Sequence, residues 1–128
     1  METVIALDTH VVAWLHAGEV QRIPSSVRSR LDHEDLGISP MVLLELEYLH
    51  ETGRLTVSAD SLFADLKQSI GLKLLSEPFS AVVRESLKQT WTRDPFDRLI
   101  TGHAVAGGYD LATKDRSIRR HYKAAFWA

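Results

Sequence analysis

The chain has 128 residues, with 45% apolar and 25% charged side chains and a formal charge of −2. That is the length of one domain and the composition of a globular one, which excludes a disordered or fibrous chain. It has no cysteine, which excludes disulfides, thiolate catalysis and cysteine-based zinc sites.

In chain order, Val4–Leu7 is a short apolar run that suits a strand buried on both faces. After Asp8 and Thr9, the apolar residues Val11, Val12, Trp14 and Leu15 recur at helical spacing. A second helix is predicted from Pro24 to about His33, followed by a brief strand over Leu36–Ile38. Ser39 and Pro40 supply an N-cap and a first-turn proline for a helix through Leu49 that stops near Gly53. Residues 60–70 form an amphipathic helix, Leu72–Leu75 a strand, and Pro78 to about Gln89 another helix. Asp94 and Pro95 repeat the cap-plus-proline opening of a helix that ends at Gly107 and Gly108. Tyr109–Thr113 is a strand, Ser117–Tyr122 a short helix, and Ala124–Trp127 a terminal apolar segment. Short apolar runs alternating with helices predict an α/β fold, a single domain over residues 1–128 whose central parallel β-sheet is flanked by helices on both faces. Strand order stays open.

No apolar run exceeds five residues and the first cationic side chain is Arg22, so neither a membrane span nor a secretory leader is expected, and the domain is expected to be cytoplasmic. Charge is unevenly divided. Residues 1–60 carry 4 basic and 10 acidic side chains (−6), and residues 61–128 carry 11 and 7 (+4). Seven of the basic residues fall between Arg93 and Lys123, a distribution compatible with a polyanion or with a solvated basic face.

Acids sit where strands give way to helices, at the edge of a parallel sheet that forms sites. Asp8 ends the first strand, Asp94 and Asp97 open the helix after residue 93, and Asp115 follows Leu111–Thr113. Glu45 shares a helix face with Met41, Val42 and Leu49, where a carboxylate is costly unless something neutralises it. Each acid has a structural alternative. Asp8, Asp94 and Asp115 can cap helices, Asp97 can complete a capping box, and Glu45 can pair with an arginine. If they converge, two charges ~5 Å apart repel by about 3 kcal/mol at an effective dielectric near 20. Raised carboxyl pKa values or a divalent cation relieve that repulsion, and all-oxygen ligands favour Mg²⁺ or Mn²⁺ over zinc.

The segments Val4–His10 (VIALDTH), Ile38–Leu46 (ISPMVLLEL), Arg93–Ile100 (RDPFDRLI) and Leu111–Asp115 (LATKD) resemble, in that order, the acidic motifs of PIN-domain nucleases, in particular VapC-type toxins of bacterial type II toxin–antitoxin operons. The resemblance spans essentially the whole chain. It implies that Asp8, Glu45, Asp97 and Asp115 are the catalytic, metal-binding acids, with Asp94 as helix cap or accessory ligand and Thr113 as a hydroxyl near the site. It further implies Mg²⁺- or Mn²⁺-dependent hydrolysis of RNA, of a tRNA or rRNA loop, to 5′-phosphate and 3′-hydroxyl ends. A cognate antitoxin lying over an apolar groove around Leu43–Leu49, and a homodimer, belong to the same implication. Arg98, Arg116, Arg119 and Arg120, with Arg93 and Lys114, are candidates for the RNA backbone. Trp14 and Trp91 can stack on bases or pack in the core. His10 stands where many members have Asn. His103, where small residues are usual, reads as a helix-packing residue. The rival readings are a non-catalytic PIN-like RNA- or protein-binding module and a Mg²⁺-dependent phosphatase; the latter needs an Asp where His10 stands.

Overall fold

The computed structural model describes residues 3–128, and Met1 and Glu2 lie outside the described part. Five strands form one sheet: β1 (Val4–Leu7), β2 (Asp35–Ile38), β3 (Lys73–Leu74), β4 (Asp110–Ala112) and β5 (Ala125–Phe126). Between them run α1 (Thr9–Ala17), α2 (Ser25–His33), α3 (Pro40–Glu51), α4 (Ala59–Ile70), α5 (Phe79–Ser86), α6 (Pro95–Gly107) and α7 (Arg116–His121), with a 3₁₀ turn at Val20–Arg22. The strand order is β3-β2-β1-β4-β5 and every described pairing is parallel.

The centre of the sheet is apolar on both sides. Consecutive residues Ile5, Ala6 and Leu7 are all buried although their side chains alternate between faces, so helices cover both. Leu111 and Ala112 of β4 are likewise fully buried, and Leu36 and Ile38 close the core beside them. The predicted elements are found where the patterning placed them. The largest boundary change is at α5: the helix expected to reach Gln89 ends at Ser86, because the amides of Lys88 and Gln89 bond back three residues to Glu85 and Ser86 and tighten the last turn. The strand expected over Leu72–Leu75 shortens to Lys73–Leu74, and other ends shift by one or two residues. The terminal apolar segment becomes β5, an edge strand of two residues.

Chain order reverses at β1: successive strands are added on its β2 side, and the chain then crosses to add β4 and β5 on the other. A crevice forms at such a switch point, beyond the carboxyl ends of the strands. Register makes the consequence specific. Leu7 pairs with Ala112, so Asp8 and Thr113 emerge side by side, and the Asp8 amide donates to the Ala112 carbonyl at 3.0 Å. α6 reaches the same edge while packed on α5, where Gly102 lies against Ser86.

Candidate functional site

The crevice is a cavity of about 580 Å³ lined by Asp8, Glu45, Asp97 and Asp115, together with His10, Val11, Trp14, Lys114, Arg116 and Ser117. Acids separated by more than a hundred residues along the chain thus share one chamber. Three of the strand-to-helix acids also cap helices. Asp8 Oδ1 accepts from the Thr9 amide at 2.8 Å, Asp115 Oδ1 from the Ile118 amide at 2.9 Å, and Asp94 Oδ1 from the amides of Phe96 and Asp97 at 2.8 and 3.1 Å. Capping and site membership are therefore compatible for Asp8 and Asp115: each cap uses one carboxylate oxygen.

Asp97 does not complete a capping box. The Asp94 amide donates instead to Thr92 Oγ1 at 3.1 Å, and the Asp97 carboxylate faces the chamber. Asp94 itself lies outside the lining, at the helix start.

Two buried threonine hydroxyls hold the acids. Thr113 Oγ1 donates to Asp8 Oδ2 at 2.6 Å and accepts from the Asp115 amide at 3.0 Å, linking the acids that follow β1 and β4. Thr9 Oγ1 donates to Glu45 Oε1, tying α1 to α3. Both threonines are fully buried. Glu45 therefore has a hydroxyl partner in place of the arginine that was the alternative. Thr113 was predicted near the site. Thr9 was not among the predicted site residues, because its contact with Glu45 spans 36 residues. Replacing Thr113 with Val is expected to leave the buried Asp8 oxygen unpaired and to lower stability by about 1–3 kcal/mol, read from the urea midpoint of the metal-free protein.

The electrostatics follow from this crowding. Burial pushes the Asp97 carboxyl up to about 7, and the neighbouring Asp94, Asp115, Asp8 and Glu45 push the same way. Burial also raises Asp8, against the opposing bonds from Thr113 and the Thr9 amide. Glu45 is raised by burial and by Asp8, with the Thr9 hydroxyl and His10 opposing. Ion pairs elsewhere join His16 to Asp65, Arg22 to Glu19, Arg30 to Glu34 and Asp110, Lys88 to Glu85, and His103 to Glu77; among the described residues none reaches a chamber acid. The four acids offer oxygen donors only and none is in an ion pair among the described residues, which is the chemistry of a hard divalent cation. No three acidic or histidine side chains among the described residues stand close enough to form a ready-made cage.

The basic candidates divide. Lys114 and Arg116 are exposed on the rim of the chamber. Arg98 Nε is bound to the Thr92 carbonyl at 2.7 Å and Arg119 Nη2 to the Lys114 carbonyl at 3.1 Å, so both are folded onto the backbone. Arg93 and Arg120 are exposed and outside the lining. Trp91 stacks flat on His121 with ring centroids 4.9 Å apart, whereas Trp14 lines the chamber. His103 is buried, bonded to Ser39 Oγ at 3.0 Å and Glu77 Oε1 at 2.9 Å, a helix-packing residue with both ring nitrogens engaged. Around Leu43–Leu49, Leu44 and Tyr48 are exposed, and Tyr48 meets Phe96 edge-on.

Residues 5–124 match the PIN domain family. Ribonuclease VapC22 of Mycobacterium tuberculosis is 31% identical over 125 residues, spanning 93% of this chain and 92% of that protein. Among solved structures, VapBC2 from Rickettsia felis bound to a DNA fragment from their promoter aligns with a TM-score of 0.64 at 17% identity over 92% of both chains. VapBC-1 from nontypeable Haemophilus influenzae aligns with a TM-score of 0.64 at 15% identity, over 98% of this chain and 97% of that one. The structural likenesses speak to the fold, and the sequence matches carry the family. A doubly wound sheet with acids gathered at its switch point is thus explained by descent as well as by physics: the chain belongs to the PIN-domain family, as a VapC-type member.

Proposed function

We propose that the chain is a divalent-metal-dependent endoribonuclease and the toxin of a type II toxin–antitoxin pair. The observation that carries this reading is the chamber of four carboxylates, none in an ion pair among the described residues, where burial and the neighbouring acids hold Asp97 at about 7. Asp8, Glu45, Asp97 and Asp115 would hold Mg²⁺ or Mn²⁺, with Asp94 as an accessory. The bound ion supplies a water of lowered pKa and stabilises charge developing on the phosphodiester. Thr113 and Thr9 orient Asp8 and Glu45. Lys114 and Arg116 at the rim receive the RNA backbone, which is cut between phosphorus and the 3′-oxygen to leave 5′-phosphate and 3′-hydroxyl ends. Trp14 and the rim cations favour single-stranded RNA such as a tRNA or rRNA loop.

The exposed Leu44 and Tyr48 beside Phe96 support an apolar groove covered by an antitoxin, and the VapBC complexes among the fold's neighbours agree with such a partner. Phe79 and Leu87, the most exposed large apolar side chains, support a homodimer. No described helix is long and apolar enough to cross a membrane, which agrees with a cytoplasmic enzyme.

Removing the metal tests the reading. Total RNA is expected to be cut with Mn²⁺ and to survive with EDTA, and saturating Mn²⁺ should raise the melting temperature of the protein by several degrees. Cleavage that persists in EDTA would reject it. An Mn²⁺-insensitive, non-cleaving protein that still binds RNA would be the non-catalytic module.

A further inference from the structure

Beside the acidic chamber lies a second cavity, of about 250 Å³, lined by His10, Trp14, Arg22, Leu49 and Arg54 among others. His10 and Trp14 line both cavities, so the Trp14 side chain is part of their common wall. The indole is half-buried and leans on Trp127 at a centroid distance of 6.1 Å. Cations flank it on both sides of the wall: the Arg22 guanidinium carbon is 5.8 Å from the ring centroid, and Lys114 Nζ, which belongs to the acidic chamber, is 5.9 Å away. Arg22 is paired with Glu19 at 2.5 Å, both largely exposed, whereas Arg54 is exposed and has no ion-pair partner among the described residues. The charges facing the second cavity are therefore Arg22, Arg54 and Glu19, with His10 beside them, and Arg54 is the cation left free.

This is a different environment from its neighbour. The first chamber is acidic, and the second offers an aromatic edge and an unpaired guanidinium. A nucleotide carries the complement of both features, since any base can stack on an indole and a guanidinium grips a phosphate. Because the two cavities share His10 and Trp14, a strand with one phosphodiester at the acids can place a neighbouring nucleotide in the adjoining cavity.

We propose that the second cavity is a nucleotide subsite, in which Trp14 packs the base flanking the cleaved bond and Arg54, with Arg22, holds the following phosphate. The proposal rests on the nuclease reading for the position of the cleaved bond. An acidic peptide could also satisfy the arginines, but it would have to lie against a wall shared with four carboxylates, whereas RNA needs that adjacency.

The test is binding of a fluorescein-labelled single-stranded RNA dodecamer of mixed sequence, followed by anisotropy over a range of salt in an Asp97→Asn background so that the strand stays intact. Trp14→Leu is expected to weaken binding about tenfold with little change in the salt slope, while Trp14→Phe keeps most of the affinity. Arg54→Glu, at an exposed position where folding is not at issue, should weaken binding by about the same factor and flatten the log–log salt slope by roughly one. Parent-like RNA affinity in both Trp14→Leu and Arg54→Glu overturns the proposal and leaves the cavity to a protein partner. A parent that binds no RNA overturns it as well. The nuclease reading is scored separately, by the Mn²⁺ shift of melting temperature in the protein with all its acids. If that shift is absent while Arg54→Glu still costs RNA affinity, the nuclease reading fails and the cavity stands as an RNA-binding subsite with no cleaved bond beside it.

Discussion

Asp97→Asn is expected to abolish RNA cleavage and, in the same molecule, to raise the melting temperature of the metal-free protein at pH 8. The loss should exceed about a thousandfold, the scale of removing a group that stabilises charge at the reacting centre. The stability gain follows from linkage. Asp97 is held at about 7 in the folded chain against an ordinary 3.8, so between those values the folded state binds more protons than the unfolded state. Stability therefore falls as pH rises through that window and is flat above it, where the carboxylate is charged in both states. The side chain is only half out of water, and discounting for solvent leaves a penalty on the order of 2 kcal/mol at pH 8. Asparagine removes it. A chain of this length gains about 6 °C for that energy, measured by thermal denaturation in EDTA. At pH 4 the two proteins should melt together, and Mn²⁺ should reverse the order at pH 8 by stabilising only the protein that retains Asp97. An Asn variant that is less stable than its parent at pH 8 in EDTA would show that burial and the neighbouring acids do not penalise the Asp97 charge as described.

Gly102→Ala should destabilise, although the same change in an open helix stabilises by about 1 kcal/mol. A β-carbon on Gly102 would lie 2.1 Å from Ser86 Oγ, 2.9 Å from the Ser86 nitrogen and 3.0 Å from its α-carbon. The hydroxyl can rotate away; the backbone of α5 cannot. Relief requires α5 to move off α6, and overpacking of this kind costs about 1–3 kcal/mol. With the helix propensity working the other way, a net loss of about 1 kcal/mol is expected for Ala. Gly102→Val, which adds two methyl groups against the same backbone, should lose about 4 kcal/mol or more and fold poorly. Urea titration reads both, the midpoint falling with the slope unchanged for Ala. Because α6 also carries Asp97 and His103, the Ala protein should bind Mn²⁺ more weakly in proportion to how far the helix is displaced.

Local signals in the sequence locate the elements well. Ser39–Pro40 and Asp94–Pro95 begin α3 and α6 at the proposed residues, and Gly108, at a φ of +69°, ends α6 as a left-handed cap. What patterning could not supply was long-range. Strand order depends on which apolar runs pair, and nothing in Leu111–Ala112 distinguishes β1 from β2 as a partner. The acids at strand ends were legible for the same local reason as the caps. Glu45 stood out because it interrupts an apolar face, but its partner, Thr9, was not readable, since the two lie 36 residues apart in the chain. Asp97 illustrates the opposite case. Its spacing from Asp94 fits a capping box, and only the competing bond from the Asp94 amide to Thr92 releases its carboxylate toward the chamber. The basic residues were the least legible, because a long side chain on a short helix can reach solvent, a carbonyl or a ligand equally well. Arg119 took a carbonyl.

The bond between Thr113 and Asp8 ties together two residues 105 positions apart in the chain. A nascent chain that has not yet released residues 110–126 holds Asp8 on a strand lacking its β4 neighbour, with Asp115 nowhere nearby. Such a chain has no acidic chamber at any stage before β4 docks. The chamber is thus assembled in one step, when β4 docks beside β1, rather than acid by acid.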